Sequence, residues 1–391
     1  MDRIDPTGWQ ETAGLATLLD ALGGDSGDTR FVGGFVRDTL LGVGSKDIDL
    51  AARFAPEETA RRITAAGFKA VPTGMAHGTV TAVLPGGPVE VTTLRRDVST
   101  DGRHAEVAFT DDWREDAARR DFTINALSAE PAGAVFDYFG GLDDLRAGLV
   151  RFIGDPLTRI AEDHLRIMRF FRFHARFGRG EPDAAAIAAC TARAKDLMAL
   201  SRERIADELL KLLALPDPVA AVRLMLRSGV LAAVIPEITA ADGLAGLVGR
   251  EGEIAPDPLR RLAALLPRDP EKAGAVAARL KLSNAARKRL TEAAAVRDEP
   301  ARALAYRLGM DGAVDQLLLA GRDVSVLVGW ERPRFDLSGG TLIGMGLTRG
   351  PGVAATLQAI ERRWIAEDFP GEGRLAEITA EEVAQASRAS I

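Results

Sequence analysis

A change of texture between Asp144 and Asp155 does more than any other feature to limit what this chain can fold into. Before it, apolar runs are short and punctuated by glycine, as strands are. Phe31-Val32 before Gly33, Ile48-Asp49-Leu50, Thr79 to Leu84 and Val89 to Leu94 are the strongest. Val36 to Leu41 and Glu57 to Ala66 carry helical spacing between them, and Pro56 opens the second at a favoured first-turn position. After the break, strand signals nearly vanish. Long Ala/Leu/Arg segments are interrupted near Pro216, Pro236, Pro256, Pro267 and Pro300, which reads as a stack of helices. The expectation is an α+β domain with one small mixed sheet, followed by an all-α region. Its 391 residues suffice for several domains, and the boundaries are expected at 1–150, 151–215 and 216–391. No fixed-period repeat or low-complexity tract is evident.

Composition removes several function classes. The single cysteine, Cys190, excludes a disulfide framework and a Cys-based zinc cluster, and in its alanine-rich setting it reads as a small core residue. No apolar run reaches the ~20 residues that span a bilayer. The N-terminal MDRIDPTGWQETAG lacks a basic-then-apolar signal pattern, so a cytoplasmic, membrane-free protein is expected. No obligate protein partner is inferred. A net charge of −6 would discourage a nucleic-acid partner if the charge were evenly spread. It is not: Arg151 to Arg179 holds seven arginines against three acidic residues.

The segment richest in chemistry is Phe31-Val-Gly-Gly-Phe-Val-Arg-Asp38 with Lys46-Asp47-Ile48-Asp49-Leu50. Gly33-Gly34, after a strand and before a helix, lets backbone N–H groups approach a phosphate. Arg37, one turn into that helix, adds a charged fork for the same anion. Asp47 and Asp49 alternate along a strand and face the same side. Two such carboxylates repel unless a cation lies between them, and Mg²⁺, which takes oxygen ligands and bridges to substrate phosphates, is the expected ion. Each element alone has a bland reading, a turn or a solvated strand face. Both together, one helix and one loop apart, are a far rarer coincidence.

This segment resembles the nucleotidyltransferase superfamily that includes DNA polymerase β. That resemblance implies a third carboxylate on a neighbouring strand, for which Glu90 in Pro88-Val-Glu-Val-Thr-Thr-Leu-Arg95 is the candidate. Arg119-Arg-Asp-Phe-Thr-Ile-Asn-Ala-Leu127 resembles the ribose- and triphosphate-holding segment of class II tRNA nucleotidyltransferases and bacterial poly(A) polymerases. Asp137-Tyr-Phe-Gly-Gly-Leu-Asp-Asp-Leu145 is similar to their hinge, and Glu162-Asp-His-Leu-Arg-Ile-Met-Arg169 to their nucleotide-selecting helix. Four motifs thus occur in family order, and a weaker likeness extends to Gly350-Pro351-Gly352 and the helix after it. The resemblance implies template-independent addition of C, C and A to tRNA from CTP and ATP. Asp47 and Asp49 would hold the metal, with Glu90 as third catalytic carboxylate. Gly33, Gly34, Arg37, Arg120, Asn125, Asp163, Arg166, Arg169 and Arg172 would bind the nucleotide, and the helical half would grip tRNA. Leu94 to Phe109 is similar to the family's flexible loop, which disfavours a CC-only enzyme.

The selecting segment also makes sense from its residue types. Asp163 and Arg166, three apart on a helix, would place an acceptor beside a fork of donors. Cytosine and adenine offer an exocyclic amine to the first and ring acceptors to the second. Uracil and guanine reverse both polarities, leaving two buried polar groups unpaired at roughly 1–3 kcal/mol each. Arg169 and Arg172 continue the row within an apolar segment, so they need anionic partners, for which a triphosphate and an RNA backbone would serve. Of the smaller features, His77 and His104 lack a second ligand at metal spacing. Ser201 reads as a helix cap, and no attached phosphohydrolase domain is expected. The rival readings are a poly(A) polymerase, an enzyme adding only A, and a catalytically idle RNA-binding protein. Intact Asp47 and Asp49 argue against the last.

Overall fold

The computed structural model describes residues 3–6, 9, 11–44, 47–100 and 105–389, and two compact units emerge, Met1–Ala241 and Asp242–Ile391. In the first, β1 (Thr29–Val32) is buried along its whole length because β2 (Ile48–Ala52) and β8 (Ser128–Ala129) flank it on both sides. The sheet runs β3 (Lys69–Gly74), β4 (Thr79–Leu84), β5 (Gly87–Thr93), β2, β1, β8, β9 (Val135–Phe136). It is mixed: β2 and β5 pair in parallel, while the other neighbours are antiparallel. A separate hairpin, β6 (Arg95–Thr100) and β7 (Ala105–Phe109), leaves the end of β5.

Helices α1 (Leu15–Ala21), α2 (Gly34–Leu40), α3 (Pro56–Ala65), α4 (Trp113–Ala118) and α5 (Gly141–Ala147) complete the α+β part. Pro56 takes the predicted first-turn place in α3. From Pro156 the unit is helical: α6 (Pro156–Glu162), α7 (Arg166–Phe177), α8 (Ala184–Ala192), α9 (Arg202–Leu213), α10 (Val219–Arg227) and α11 (Val230–Val234). Packed aromatic rings join the two parts. Phe122 lies 4.9 Å from Phe152 and 5.3 Å from Phe173, and Phe152 lies 5.8 Å from Phe170, centroid to centroid. These pairs fix α7 against the segment after α4, which positions the site. Ser201 caps α9 as its sequence implied, accepting from the Arg204 N–H, and Cys190 is a fully buried core residue.

The boundary expected at 215/216 falls inside the first unit, because α10 packs back on α7 and α11 on the short 3₁₀ segment Ala194–Ala199. The second unit holds α12 (Asp242–Glu251), α13 (Pro258–Leu265), α14 (Pro270–Arg279), α15 (Asn284–Ala294), α16 (Ala301–Leu319), α17 (Gly339–Gly344), α18 (Pro351–Ala366) and α19 (Glu372–Ala389). Its interior carries an ionic cluster. Arg261, 1% exposed, pairs with Glu251 at 2.7 Å, and Asp315, equally buried, takes both Arg260 (2.9 Å) and Arg289 (2.7 Å). No helix among the described residues is long and apolar enough to cross a membrane.

Candidate nucleotide and metal site

Strand pairing settles which carboxylates can act together. Asp49 on β2 is registered directly with Glu90 on β5, so in this parallel pair both side chains stand on one face of the sheet. Asp47, exposed just before β2, acts electrostatically on the same group. Burial first, and then the charges of Glu90 and Asp47, push the Asp49 carboxyl up to about 6 against an opposing pull from Arg120. That is the signature of a carboxylate cluster short of positive charge. Among the described residues no closed cage of three or more ligands forms. Mg²⁺ needs none, since it is held by one or two carboxylates together with substrate phosphates and water. The donor set therefore fits.

The phosphate side is built from the turn after β1. Gly33 has φ of 65°, and a Cβ there would lie 2.8 Å from Arg120 Nη1, so only glycine fits the turn with Arg120 laid across it. Its N–H donates to the Leu127 carbonyl at 3.0 Å, and Gly34 lines the cleft beside it. Arg37 on α2 is 5% exposed. It pairs with Asp38 at 2.7 Å, donates to Asn125 Oδ1, and lies 4.2 Å from the ring of Phe177 on α7. Burial lowers its pKa, partly offset by Asp38. Asn125 Nδ2 in turn donates to Asp121 at 2.9 Å, and the other oxygen of Asp121 receives Arg169 at 2.7 Å. Burial alone would raise the Asp121 carboxyl. Arg169 and hydrogen bonds from Asn125 and the Phe122 N–H outweigh it and hold the group below the usual carboxylate range.

Asp163 and Arg166 do not share one helix as expected. α6 ends at Glu162, Asp163 is extended (φ −150°, ψ 107°), and α7 starts at Arg166. The physical reason is local: the Asp163 carboxylate accepts from the Leu165 N–H at 3.1 Å, the backbone competition that makes aspartate a poor helix-interior residue. Both residues still line one cleft. Asp163 also receives Arg204 Nη2 at 3.0 Å, while Arg166 is fixed by the Arg119 carbonyl (2.8 Å), the Arg159 carbonyl (2.9 Å) and Glu162 (2.5 Å).

Arginines of the row find anionic partners within the chain, where the expectation had named a triphosphate and an RNA backbone. Arg166 has Glu162, Arg169 has Asp121, Arg172 has Glu208 at 2.6 Å, and Arg176 has Asp38 at 3.2 Å. Arg172, with its guanidinium on Glu208, is not among the residues lining the cleft. Asp47, Glu90 and Arg176 are not among them either, and the remaining expected residues are brought together. Gly33, Gly34, Arg37, Asp49, Arg119, Arg120, Asp121, Asn125, Asp163, Arg166, Arg169 and Phe173 line one open, polar cleft of about 410 Å³.

Sequence reasoning missed Arg119, Asp121, Phe173 and Arg204. Arg119 and Asp121 stand beside the two residues it chose in Arg119-Arg-Asp-Phe-Thr-Ile-Asn125, so the signal was present. Arg204 could not be found, because its place depends on how α9 packs. His77 is an exposed residue whose backbone carbonyl accepts from Arg95, and His104 lies outside the described residues.

Residues 29–151 match the family model of the poly(A) polymerase head domain, and residues 181–242 that of a probable RNA- and SrmB-binding site of polymerase A. The human mitochondrial CCA tRNA nucleotidyltransferase 1 is 45% identical over 205 residues, 52% of this chain and 47% of that protein. The CCA-adding enzyme of Streptococcus sanguinis is 40% identical over 230 residues, 58% of this chain and 55% of that one. The chain thus spans about half the length of the curated relatives it matches. The solved CCA-adding enzyme of Bacillus stearothermophilus in complex with CTP superposes with a TM-score of 0.71 at 25% identity, covering 96% of this chain and 99% of that one. The Thermotoga maritima CCA-adding enzyme complexed with tRNA gives 0.70 at 23% identity, covering 98% and 97%, a likeness of fold.

Proposed function

We propose, from the premise that this chain belongs to the class II CCA-adding nucleotidyltransferase and poly(A) polymerase family, that it adds C, C and A in turn to the 3′ end of tRNA, using CTP and ATP and releasing pyrophosphate. One observation carries the reading: a single cleft gathers the glycine turn, Arg37, Arg120 and Asp49 with Asp163, Arg166 and Arg169. A phosphate cradle, a metal-binding carboxylate and a base-reading pair then act on one nucleotide.

The family generally works with divalent cations, and we assign magnesium to Asp47 and Asp49, with Glu90 as third carboxylate. Bound there, such ions supply acidity to the RNA 3′-hydroxyl and neutralise charge on the triphosphate. The chain's own residues do the rest. Gly34, Arg37 and Arg120 seat the phosphates. Asn125, tied to both Arg37 and Asp121, faces the ribose. Asp163 accepts from the exocyclic amine of cytosine or adenine, and Arg166 donates to the ring acceptors. Arg169 steadies the triphosphate from α7, whereas Arg172, bound to Glu208, acts by holding that helix. CTP, the ligand in the Bacillus stearothermophilus relative, has the polarity this pair would accept.

In this reading residues 1–150 are the catalytic part, 151–215 select the nucleotide, and 216–391 hold tRNA by shape and backbone. A cytoplasmic location belongs to the same proposal. The test is direct. tRNA ending before CCA is incubated with Mg²⁺ and each nucleoside triphosphate, singly and in pairs, and the products are sequenced. Ordered C, C, A addition supports the proposal. Addition of A alone or of a long A tail would replace it with the corresponding rival, and no transfer in any mixture would leave an RNA-binding protein.

A further inference from the structure

Behind the cleft, and not lining it, lies a carboxylate with three partners from two directions. Asp116 on α4 is 3% exposed. Its Oδ1 accepts from Arg119 Nε at 2.9 Å and from the backbone N–H of Arg95 at 3.3 Å, and its Oδ2 accepts from Arg120 Nη2 at 3.2 Å. Arg119 and Arg120 both line the cleft, and Arg95 is the first residue of the β6–β7 hairpin. Arg120 lies against the Gly33 turn, and the Arg119 carbonyl is the seat of Arg166 Nη2. One buried carboxylate thereby stands behind the phosphate cradle, behind the base-reading arginine, and at the root of the hairpin.

We propose that Asp116 is a positioning residue that sets Arg119 and Arg120 for a nucleoside triphosphate and couples the filling of the cradle to the β6–β7 hairpin. This rests on the proposed function for its substrate but not for its geometry. Two guanidinium groups share one carboxylate, so the pair keeps a net positive charge for an anion in the cleft. A shared buried carboxylate also fixes direction, since each oxygen has its own arginine. When an anion draws Arg120 toward the cradle, the pull passes through Asp116 to the Arg95 amide. Removing the charge would leave two partly desolvated guanidinium groups without that anchor. Burial already lowers Arg119 to a pKa of about 10, despite Asp116, so its environment is poor in compensating charge.

The test uses D116N and D116E of the full chain, with inorganic tripolyphosphate as the probe. D116N is expected to weaken tripolyphosphate binding about tenfold and to raise KM for CTP and ATP similarly. kcat should change less than about threefold, and KM for tRNA should not change. D116E, which keeps the charge, is expected to recover most of that loss. In the wild type, tripolyphosphate should slow amide exchange in 95–100 and 105–109, and in D116N it should not. Unchanged tripolyphosphate affinity in folded D116N, or hairpin protection persisting in it, overturns the proposal. Should D116N not fold, D116E decides, and wild-type affinity with wild-type hairpin protection in D116E supports the charge as the anchor, while loss equal to that of an R120A control overturns it. A wild type that binds tripolyphosphate but transfers no nucleotide refutes the proposed function and leaves this test standing. One that does not bind it overturns the cradle and Asp116 together.

Discussion

Replacing Asp163 by asparagine tests its proposed part in base choice at little cost to what else this residue does. In the structure Asp163 has three tasks: it accepts from the Leu165 N–H at the corner between α6 and α7, it anchors Arg204, and it faces the cleft beside Arg166. Asn keeps the shape and an oxygen for the Leu165 N–H, but it loses the charge. The side chain is 28% exposed and its partner Arg204 36%, so the ion pair adds little stability. The melting temperature should therefore stay close to wild type. Specificity should not. A carboxylate can only accept, so it repels the O4 of uracil and the O6 of guanine. An amide can present its NH₂ to those oxygens instead. Loss of a charge-assisted hydrogen bond to cytosine or adenine costs roughly 1.5–3 kcal/mol, about one to two powers of ten in efficiency. Discrimination against UTP and GTP should narrow by at least that factor, from both directions. Alanine would add the loss of the Leu165 contact, about 1 kcal/mol of stability. The assay is single-nucleotide incorporation on tRNA lacking CCA, each triphosphate tested alone at several concentrations. If D163N keeps the wild-type ratio of CTP and ATP over UTP and GTP, base reading lies elsewhere and Asp163 is only a corner residue.

Three more outcomes can be measured. D47A or D49A should abolish nucleotide transfer while leaving tRNA affinity within about twofold, read by filter binding beside product gels; retention of most activity would refute the metal assignment. Without divalent cations, Asp49 titrates near 6, above the ordinary aspartate value. The folded state then holds more protons than the unfolded one between about pH 4 and 6, so this group makes stability fall as pH rises through that window. Melting curves in chelator should show the fall, Mg²⁺ should offset it at pH 7, and D49N should remove it; a D49N profile parallel to wild type would contradict the assignment. In the second unit, D315A removes the carboxylate shared by the buried Arg260 and the half-buried Arg289, leaving them Glu251 at 3.4 Å and Asp257 at 2.9 Å, and should cost about 3 kcal/mol in urea unfolding; a loss below 1 kcal/mol would show that the cluster is not a structural anchor.

What the sequence made legible was what short-range chemistry dictates. The glycine turn, the strand that carries Asp49, the Pro56 and Ser201 helix starts, and the helical texture after Asp155 all follow from neighbours in the chain. The choice of Glu90 rested on family resemblance, and the register of β2 with β5 sets it directly beside Asp49. Two kinds of feature were not legible. The break at Asp163 arises because a side chain bonds a backbone N–H two residues on, which helical spacing overlooks. Arg166 has a local partner in Glu162, one helical turn back, but the partners of Arg169, Arg172 and Arg176 come from residues 36 to 138 positions away, Glu208 for Arg172 and Asp38 for Arg176 at the extremes, and no local pattern announces those.

Those distant partners change how the charge of this protein should be understood. Counted along the sequence, Arg151 to Arg179 is a basic island in an acidic chain. In the structure its arginines meet Glu162, Asp121, Glu208, Asp38 and, through Arg151, Asp144. Much of the surplus is thus neutralised from within and cannot serve as a broad phosphate-binding surface. What it does instead is hold geometry: Arg37 to Asn125 to Asp121 to Arg169 to Glu208 to Arg172 is one continuous chain of charged or polar contacts from the glycine turn to α9. A nucleotide entering this cleft meets donors already oriented by carboxylates behind them, so little of its binding energy is needed to arrange them. In the proposed reading, selection between bases depends on groups fixed before the base arrives, and a site of that kind would choose CTP and ATP with no template strand present.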